Sequence, residues 1–363
     1  MTPVRVALTI EQCWHEVPGG TAVAALGMAR SAAAAGADVV GVAARHRRPP
    51  PDPWAPPFEV RSLPLPRIAL YESWDRLRAP AVERATGPVE VIHATAFPMP
   101  PRSAPVVLTI HDLAWIDNPA HFTRRGLSFF RRGLDLARRD ADLVLCPSEA
   151  TRRDCVRHGF AAERVRVVPL GVDAAPAAPE RVSDTKRRYG LVRPYVLWTG
   201  TIEPRKNLPG LVRAYRQLDP GVDLVLVGPK GWNEDLEAVL GSDRAGIHLL
   251  GFVPAADLPS LYAGAAAFCF PSFMEGFGFP VLEAMAQGTP VVTSAGTSTE
   301  ELAEGAGVLV DPRDPSSIAA GLSEVLGDPQ RRQDLAAAGL ERAAQYTWER
   351  TGRMLVETYE EVS

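Results

Sequence analysis

The strongest constraint on this chain is a regular alternation of short apolar runs with longer amphipathic segments. In the first half, runs rich in Val, Ile and Leu predict β-strands at 4–10, 38–43, 89–93, 106–110, 143–147 and 165–169. Helical patterns separate them at 20–35, 70–86, 121–140 and 148–158. Strands that alternate with helices in this way predict an α/β fold with a parallel sheet.

The second half repeats the alternation. Its predicted strands lie at 195–199, 222–228, 247–251, 265–271, 290–294 and 307–310. A segment rich in Gly, Ala and Pro at 171–179 predicts a linker near 171–183. The sequence therefore predicts two doubly wound domains, 1–172 and 184–345, whose shared cleft is the expected active site, because ligands of such sheets bind beyond the carboxyl ends of strands.

The composition indicates the general class of the protein and its expected compartment. A chain of 363 residues, 46% apolar and 23% charged, is typical of a globular protein of about two domains. A net charge of −4 gives no general attraction to nucleic acid. Four widely spaced cysteines without a C-x-x-C pair favour a reducing compartment. The first predicted strand leaves no room for a signal peptide and no segment is apolar enough to span a bilayer, so we expect a cytoplasmic protein.

The stretch 272–292 predicts a strand end, a glycine-rich turn, a short helix and a further strand. Pro280 suits the first position of the helix, and Gly288 suits the residue that stops it. In the turn, the sequence Gly276-Phe277-Gly278 lets a ligand approach the backbone, and the N–H groups and dipole at the helix start favour an anionic or hydroxylated group.

Two carboxylates frame this turn. Glu275 precedes the glycines, and Glu283 lies eight positions later, one turn into the helix. A turn followed by a helix start can direct both side chains at one cleft. Either glutamate alone is common on protein surfaces. The pair at this spacing suits a polyol with an anionic tail, such as a nucleotide sugar.

Two adjacent cations follow the first strand of the second half. Gly200 ends that strand, and Arg205 and Lys206 stand at the predicted start of a helix, where the dipole disfavours positive charge. A diphosphate would compensate them, since Arg binds phosphate bidentately and Lys acts as a point charge. The alternative is a solvated pair. The P-loop pattern G-x-x-x-x-G-K-[ST] is missing here.

The first half offers weaker candidates. His111 and Asp112 follow the buried strand at 106–110, and a His at the carboxyl end of a strand facing a cleft is a candidate functional residue, although an isolated His is usually structural. Gly19 and Gly20 would open a helix N-terminus to a phosphate or an acceptor hydroxyl. Their pattern is not G-x-G-x-x-G, which argues against a dinucleotide-binding dehydrogenase.

No metal site is predicted. Asp140 and Asp142 match the pattern D-x-D, but they precede a strand and so lie at the wrong edge of the sheet. No Cys/His cluster offers another site.

Arginines at intervals of seven predict a basic stripe on the helix at 121–140. They are Arg124, Arg125, Arg131, Arg132, Arg138 and Arg139, with Phe122, Phe129 and Phe130 on or beside the stripe. The simplest interpretation is a solvated helix face. The alternative is contact with an anionic membrane, where each such charge contributes roughly 1 kcal/mol.

In order along the chain, six segments resemble motifs of the GT4 family of retaining glycosyltransferases. They are Gly19-Gly20, His111-Asp112, Gly171-Val172-Asp173, the segment 203–207 with the sequence E-P-R-K-N, Gly251-Phe252-Val253, and the E-x7-E segment 275–283. The resemblance covers nearly the whole chain. It implies the GT-B fold, with two Rossmann-like domains facing an interdomain cleft and a final helix from about 346 that packs back on the first domain.

The resemblance also implies roles for individual residues. Arg205 and Lys206 would stabilise the departing diphosphate, and Glu283 would bind the ribose. The catalytic set would be His111, Arg205, Lys206 and Glu275. The donor set would be Gly20, Gly200, Arg205, Lys206, Gly251, Phe252, Glu275, Gly276, Phe277, Gly278 and Glu283. The acceptor side would be Gly19, Gly20 and Asp112.

The implied activity is transfer of a hexose from a nucleoside diphosphate sugar, with no cofactor and no metal. The T-I-H-D-L sequence at 109–113 resembles a mannosyltransferase-like branch, which favours GDP-mannose. The acceptor would be a glycan, a lipid-linked sugar or a small molecule, with peripheral contact at the inner face of the membrane as a further expectation. The alternatives are a GT-B sugar-nucleotide epimerase, a polymerising enzyme similar to glycogen synthase, and a non-enzymatic nucleotide-sugar-binding protein.

Overall fold

The computed structural model describes residues 3–16, 18–119, 124–173, 175–231 and 234–363. They form two compact units. Unit 1 comprises Met1–Gly171 together with Tyr346–Ser363, and unit 2 comprises Val172–Gln345. Each unit is built around its own parallel sheet.

The described part of unit 1 contains a sheet of seven strands. These are β1 (Arg5–Thr9), β2 (Asp38–Ala43), β3 (Val60–Ser62), β4 (Val91–Ala94), β5 (Val106–Thr109), β6 (Leu143–Cys146) and β7 (Val165–Val167). Their order is β3-β2-β1-β4-β5-β6-β7, with parallel pairing throughout. The strands β4, β5 and β6 are buried along their whole length, which explains their continuous apolar sequences. The predicted strands are confirmed, and β3 was missed because three residues carry too little pattern.

Helices connect these strands. They are α1 (Gly19–Ala34), α2 (Arg67–Leu77), α3 (Glu83–Thr86), α4 (Ala114–Asp117), α5 (Arg124–Asp140) and α6 (Glu149–Arg157). The single helix predicted at 70–86 is wrong. The chain leaves α2 at Arg78, which adopts a left-handed conformation with φ 51°, and Pro80 follows before α3 begins.

Unit 2 repeats the architecture with six strands in its described part. These are β8 (Tyr195–Thr199), β9 (Asp223–Val227), β10 (Ile247–Gly251), β11 (Ala267–Phe270), β12 (Val291–Ser294) and β13 (Gly307–Val310). Their order is β10-β9-β8-β11-β12-β13, again all parallel. The order reverses between β8 and β11, which is the place where a doubly wound sheet opens a crevice at its carboxyl edge.

The helices of unit 2 lie between and after these strands. They are α7 (Pro179–Arg188), α8 (Leu208–Tyr215), α9 (Leu236–Leu240), α10 (Leu258–Ala263), α11 (Phe279–Ala286), α12 (Ser298–Ala303), α13 (Pro315–Gly327) and α14 (Pro329–Ala343). The linker predicted to reach residue 183 is shorter in the structure, because Pro179 occupies the first turn of α7.

The last helix, α15 (Trp348–Val362), belongs to unit 1. Thr347 caps it by accepting a hydrogen bond from the N–H of Arg350. It packs on α1 so closely that a Cβ at Gly352 would lie 2.1 Å from the carbonyl oxygen of Ser31. The hydroxyl of Tyr359 reaches Nδ1 of the fully buried His93 at 2.7 Å. This helix therefore completes the core of unit 1.

Candidate functional site

The carboxyl ends of β8 and β9 approach each other unusually closely in unit 2. Gly200 and Gly228 follow these strands with φ of 152° and 140°. A Cβ at Gly228 would lie 1.9 Å from the carbonyl oxygen of Gly200. Only glycine fits there, so the loops after both strands are held at the same point of the sheet edge.

The loop after β8 makes a short 3-10 turn, Pro204–Lys206, before α8 begins. Asn207 ends that turn in the left-handed conformation and caps α8 by accepting from the N–H of Gly210. Its amide nitrogen donates to the carbonyl oxygens of Pro271 at 3.0 Å and Pro312 at 2.6 Å. Asn207 therefore fixes the loop that carries Arg205 and Lys206 against the loop that follows β11.

The two predicted cations lie in one ion cluster with two glutamates. Arg205 binds Glu275 at 2.7 Å through Nη1 and Glu203 at 2.8 Å through Nη2. The ammonium group of Lys206 lies 2.6 Å from the other oxygen of Glu275. We call Glu203, Arg205, Lys206 and Glu275 the ion cluster. The sequence predicted both cations and Glu275 but assigned no role to Glu203.

The ion cluster is mostly withdrawn from solvent and carries no net formal charge. The side chains of Glu203 and Glu275 are each 8% exposed, and that of Lys206 is 11% exposed. Burial opposes ionisation of Glu275, but Arg205 and Lys206 outweigh it and lower its pKa to about 2. Glu275 is therefore an anion at neutral pH. It pairs with both of the cations that the sequence predicts to bind a diphosphate.

Backbone contacts hold Glu275 in this position. The N–H of Phe273 donates to the carbonyl oxygen of Arg205 at 2.9 Å. The hydroxyl of Ser298 donates to the carbonyl oxygens of Glu275 at 2.7 Å and Phe277 at 3.1 Å. The ammonium group of Lys206 also lies 4.7 Å from the centre of the Phe270 ring, a cation–π distance.

The turn and helix predicted after Glu275 are present. Gly278 precedes α11 with φ 111°, and a Cβ there would lie 2.8 Å from a methyl carbon of Thr299. Pro280 lies in the first turn of α11, and Gly288 follows the helix with φ 70°. Those predictions of local structure are confirmed.

Glu283 belongs to a different network from Glu275. Its Oε2 accepts a hydrogen bond of 2.7 Å from the hydroxyl of Tyr262 in α10. That hydroxyl lies 2.8 Å from Oγ1 of Thr199, the last residue of β8. Burial raises the pKa of Glu283, the Tyr262 hydrogen bond lowers it, and nearby Asp173 raises it, so the net direction is upward. No sequence motif indicates Tyr262, which lies within the apolar helix α10.

The residue after β10 is exposed. Gly251 has φ 65°, and Phe252 keeps 77% of its surface accessible. An aromatic ring left in solvent at the carboxyl edge of a sheet is available for stacking.

In unit 1, the ring of His111 forms a hydrogen bond with an uncharged backbone group. Its Nε2 lies 2.9 Å from the carbonyl oxygen of Thr95, so Nε2 carries the proton in the neutral ring. Burial lowers the pKa of His111, despite the Thr95 hydrogen bond and the Asp112 carboxylate, which raise it. Oδ1 of Asp112 accepts from the N–H of Ala114, at the start of α4. Gly19 and Gly20 form the exposed first turn of α1, where Gly19 has φ 58°.

The predicted basic stripe of α5 is only partly exposed. Arg132 contacts the buried carboxylate of Asp75, and Arg138 donates to the carbonyl oxygen of His158, so both side chains are partly withdrawn from solvent. The exposed face carries Arg124, Arg131 and Arg139. Phe122 and the side chain of Arg125 lie outside the described residues.

The described residues include neither a candidate metal centre nor a candidate membrane span. In those ranges, no cluster of three or more His, Cys, Asp or Glu side chains could hold a metal ion. No described helix combines the length and hydropathy that a bilayer span needs.

Comparisons with known proteins connect this geometry to a family. Residues 184–342 match the model described as "Glycosyl transferases group 1", and residues 18–176 match that of "Glycosyltransferase Family 4". The chain is 34% identical over 280 residues to the O-antigen chain mannosyltransferase B of Escherichia coli. The aligned region covers 74% of this chain and 74% of that one. The chain is also 38% identical over 224 residues to the D-inositol 3-phosphate glycosyltransferase of Salinispora tropica, in an alignment that covers 54% of this chain and 46% of that one.

A solved structure shows the same fold over the whole chain. Anabaena HepE, crystallised with UDP and glucose, matches with a TM-score of 0.78 at 21% identity and covers 99% of this chain and 100% of its own. At that identity the likeness concerns the fold, which is GT-B. Because the two models span both halves and the Escherichia coli relative matches across three quarters of its length, the chain belongs to glycosyltransferase family 4 and is a glycosyltransferase.

Proposed function

We propose that this enzyme transfers a hexose, with mannose favoured, from a nucleoside diphosphate sugar to a glycan, lipid-linked or small-molecule acceptor, with retention of anomeric configuration. The similarity to an O-antigen mannosyltransferase supports mannose, and GDP-mannose is the favoured donor. HepE was crystallised with UDP and glucose, so a uridine nucleotide is the alternative donor to test.

The observation that carries the proposal is the ion cluster. At the carboxyl edge of β8, the buried Lys206 and the partly buried Arg205 are balanced by two carboxylates. A diphosphate that approaches Arg205 and Lys206 replaces part of the negative charge that Glu275 supplies. Glu275 is then available to accept hydrogen bonds from the hydroxyls of the transferred sugar, at the turn formed by Gly276, Phe277 and Gly278.

In the reaction, the bond between the anomeric carbon and the β-phosphate oxygen breaks, and the acceptor oxygen bonds to the same face of that carbon. The acceptor proton passes to the departing phosphate oxygen. Negative charge develops on the diphosphate, and Arg205 and Lys206 stabilise it where it develops. The proposal needs no metal or other cofactor, since these side chains neutralise the leaving group.

The remaining predicted residues take supporting roles in this proposal. Glu283 binds the ribose hydroxyls. The loops at Gly200 and Gly251 hold the nucleotide, and the exposed ring of Phe252 stacks on its base. On unit 1, His111 contacts the transferred sugar, while Gly19, Gly20 and Asp112 belong to the acceptor side.

A panel of nucleotides tests the donor. GDP, GDP-mannose, UDP and UDP-glucose are compared by thermal unfolding with EDTA present, and the product is analysed with and without a mannose-terminated oligosaccharide. We expect a guanine nucleotide to raise the melting temperature most, and a new glycosidic bond to require the oligosaccharide. If none of the four stabilises the protein, the proposal fails; an epimerised sugar nucleotide without acceptor would indicate an epimerase.

We further propose that α5 of unit 1 contacts anionic lipid. Arg124 and Arg131 share its exposed face, where basic side chains are attracted to a negative leaflet, and the exposed Arg139 already pairs with Asp140 at 2.6 Å. Sedimentation with anionic vesicles tests this contact.

A further inference from the structure

Glu283 lies at the end of a chain of hydrogen bonds that crosses three elements of unit 2. The hydroxyl of Tyr262 donates to Oε2 of Glu283 at 2.7 Å. Tyr262 is 2% exposed, and its hydroxyl lies 2.8 Å from that of Thr199, which is 5% exposed. The chain therefore begins at the carboxyl end of β8, crosses α10 and ends on α11.

The direction of these hydrogen bonds follows from the number of protons. A tyrosine hydroxyl has one proton, and it goes to the carboxylate. The hydroxyl of Thr199 must then donate to the oxygen of Tyr262. Burial and the adjacent Glu283 raise the pKa of Tyr262, so it keeps its proton and remains a donor. One oxygen of Glu283 is thus occupied within the protein, and Oε1 is left for a ligand.

We propose that Tyr262 is a positioning residue that, supported by Thr199, orients Glu283 so that one carboxylate oxygen faces the ribose diol of the donor nucleotide. This inference rests on the proposed function, because it takes Glu283 as the ribose-binding group. Tyr262 acts through Glu283 and does not touch the ligand. The packing of its ring against Phe268, with centroids 5.3 Å apart, limits the positions that the hydroxyl can reach.

Two acidic groups act on Glu283 in the described part of unit 2. Tyr262 faces it from α10 and lowers its pKa, while Asp173, before α7, raises it. Loss of the Tyr262 hydroxyl would leave burial and Asp173 unopposed. The carboxyl group would then hold its proton to a higher pH, and a protonated carboxyl accepts ribose hydroxyls less well.

Tyr195 provides a matched control. It is also fully buried in unit 2, and its hydroxyl donates to the carbonyl oxygen of Leu261 at 2.7 Å. Tyr195→Phe removes the same buried group without touching Glu283. Thr199→Val alters the same chain of hydrogen bonds more mildly, because it deletes only the hydroxyl that supports Tyr262.

The experiment measures the dissociation constants of GDP and 2′-deoxy-GDP, or of the UDP pair if the uridine nucleotide binds better. For Tyr262→Phe we expect GDP binding to weaken about tenfold at pH 8 and further at pH 6. The preference for the ribonucleotide should fall in the same variant, less strongly in Thr199→Val, and not in Tyr195→Phe. In a Glu283→Gln background, Tyr262→Phe should add no further loss.

The outcomes separate this inference from the proposed function. If Glu283→Gln loses the ribose preference while Tyr262→Phe and Thr199→Val keep it, the positioning role is wrong and the donor site stands. If Tyr262→Phe weakens nucleotide binding as much in the Glu283→Gln background as in the wild-type protein, it does not act through Glu283 and the inference also fails. If wild-type protein binds neither pair, the proposed function itself fails. Should Tyr262→Phe not fold, the Thr199→Val comparison decides.

Discussion

The two units share a doubly wound architecture but differ in the chemistry at the carboxyl edges of their sheets. In unit 1, Nε2 of His111 meets the carbonyl oxygen of Thr95 at that edge, and the hydroxyl of Thr95 in turn accepts from Gln12 at 2.9 Å. The buried carboxylate of Glu11 lies 2.8 Å from Nε2 of His46 there. In unit 2, the corresponding edge holds the ion cluster, with contacts of 2.6 to 2.8 Å. The shared topology therefore does not determine the chemistry; the loops do. Unit 2 holds two cations against Glu275 at its edge, whereas His111 of unit 1 contacts an uncharged backbone group.

Replacement of Arg205 should produce the largest effect. Arg205→Ala leaves Glu203 and Glu275 with less positive charge and removes one of the two groups proposed to stabilise the leaving diphosphate. We expect kcat to fall about 10² to 10³-fold, the range for loss of one preorganised charge-stabilising group. His111→Ala, which removes a ring bound to an uncharged carbonyl group, should lower kcat only about tenfold. Steady-state kinetics with saturating donor provides the comparison.

Arg188→Ala is the control for this experiment. Arg188 lies in unit 2 and also binds a buried carboxylate, that of Asp257, at 2.8 Å, but on α7. Its replacement should leave kcat unchanged. A loss in Arg188→Ala equal to that in Arg205→Ala would mean that disturbed folding accounts for the effect. A larger loss in His111→Ala than in Arg205→Ala would contradict the larger contribution expected from the ion cluster.

Much of the fold could be predicted because its signals are local. Buried parallel strands are continuous apolar runs, so the fully buried β8 has the predicted bounds. The partly exposed strands β2, β10 and β13 also have the predicted bounds. Turn glycines such as Gly278 and Gly288 were predicted for the same reason. β3 was missed because its partner, β2, and not its own three residues, specifies it.

The site could be predicted only in part, because its contacts join distant segments. Motifs placed Arg205, Lys206 and Glu275 at one sheet edge, but their pairing depends on how the loops after β8 and β11 pack, which Asn207 fixes. Tyr262 and His93 gave no signal at all. Each stands in an apolar segment, and its hydrogen-bond partners lie at least 16 residues away in sequence.

Acid should affect the two units in different pH ranges. Burial lowers the pKa of His93 from 6.5 to about 3, with a small further contribution from His111. Between these two pH values, His93 binds a proton in the unfolded chain but not in folded unit 1. The free energy of unfolding of unit 1 therefore falls as the pH drops from about 6.5 towards 3. In unit 2, the pKa of Glu275 is lowered from 4.5 to about 2, so its contribution is present above pH 4.5 and is lost only below it.

Hydrogen exchange at pH 7 and pH 5 measures this difference unit by unit. We expect wild-type peptides from β4 and β5 to lose about 2 kcal/mol of protection relative to those of His93→Gln over this interval. The amide of Gln offers a donor and an acceptor to Tyr359 and Thr109, the two partners of His93. Peptides of unit 2 provide the internal control and should respond alike in both proteins. Equal pH dependence of β4 in the two proteins would show that His93 is not the acid-sensitive group.

The smallest effect concerns the exposed positive charge of unit 1 on α5. Arg131 is exposed on the same face as Arg124, and its replacement by Gln should weaken binding to vesicles with anionic lipid about fivefold at low salt, which corresponds to roughly 1 kcal/mol. Arg213→Gln removes one exposed charge from unit 2 and should change nothing. Higher salt should abolish the difference, because exposed charges are screened. If wild-type protein does not sediment with anionic vesicles, or if Arg213→Gln weakens sedimentation equally, α5 is only a solvated helix face and unit 1 has no electrostatic role.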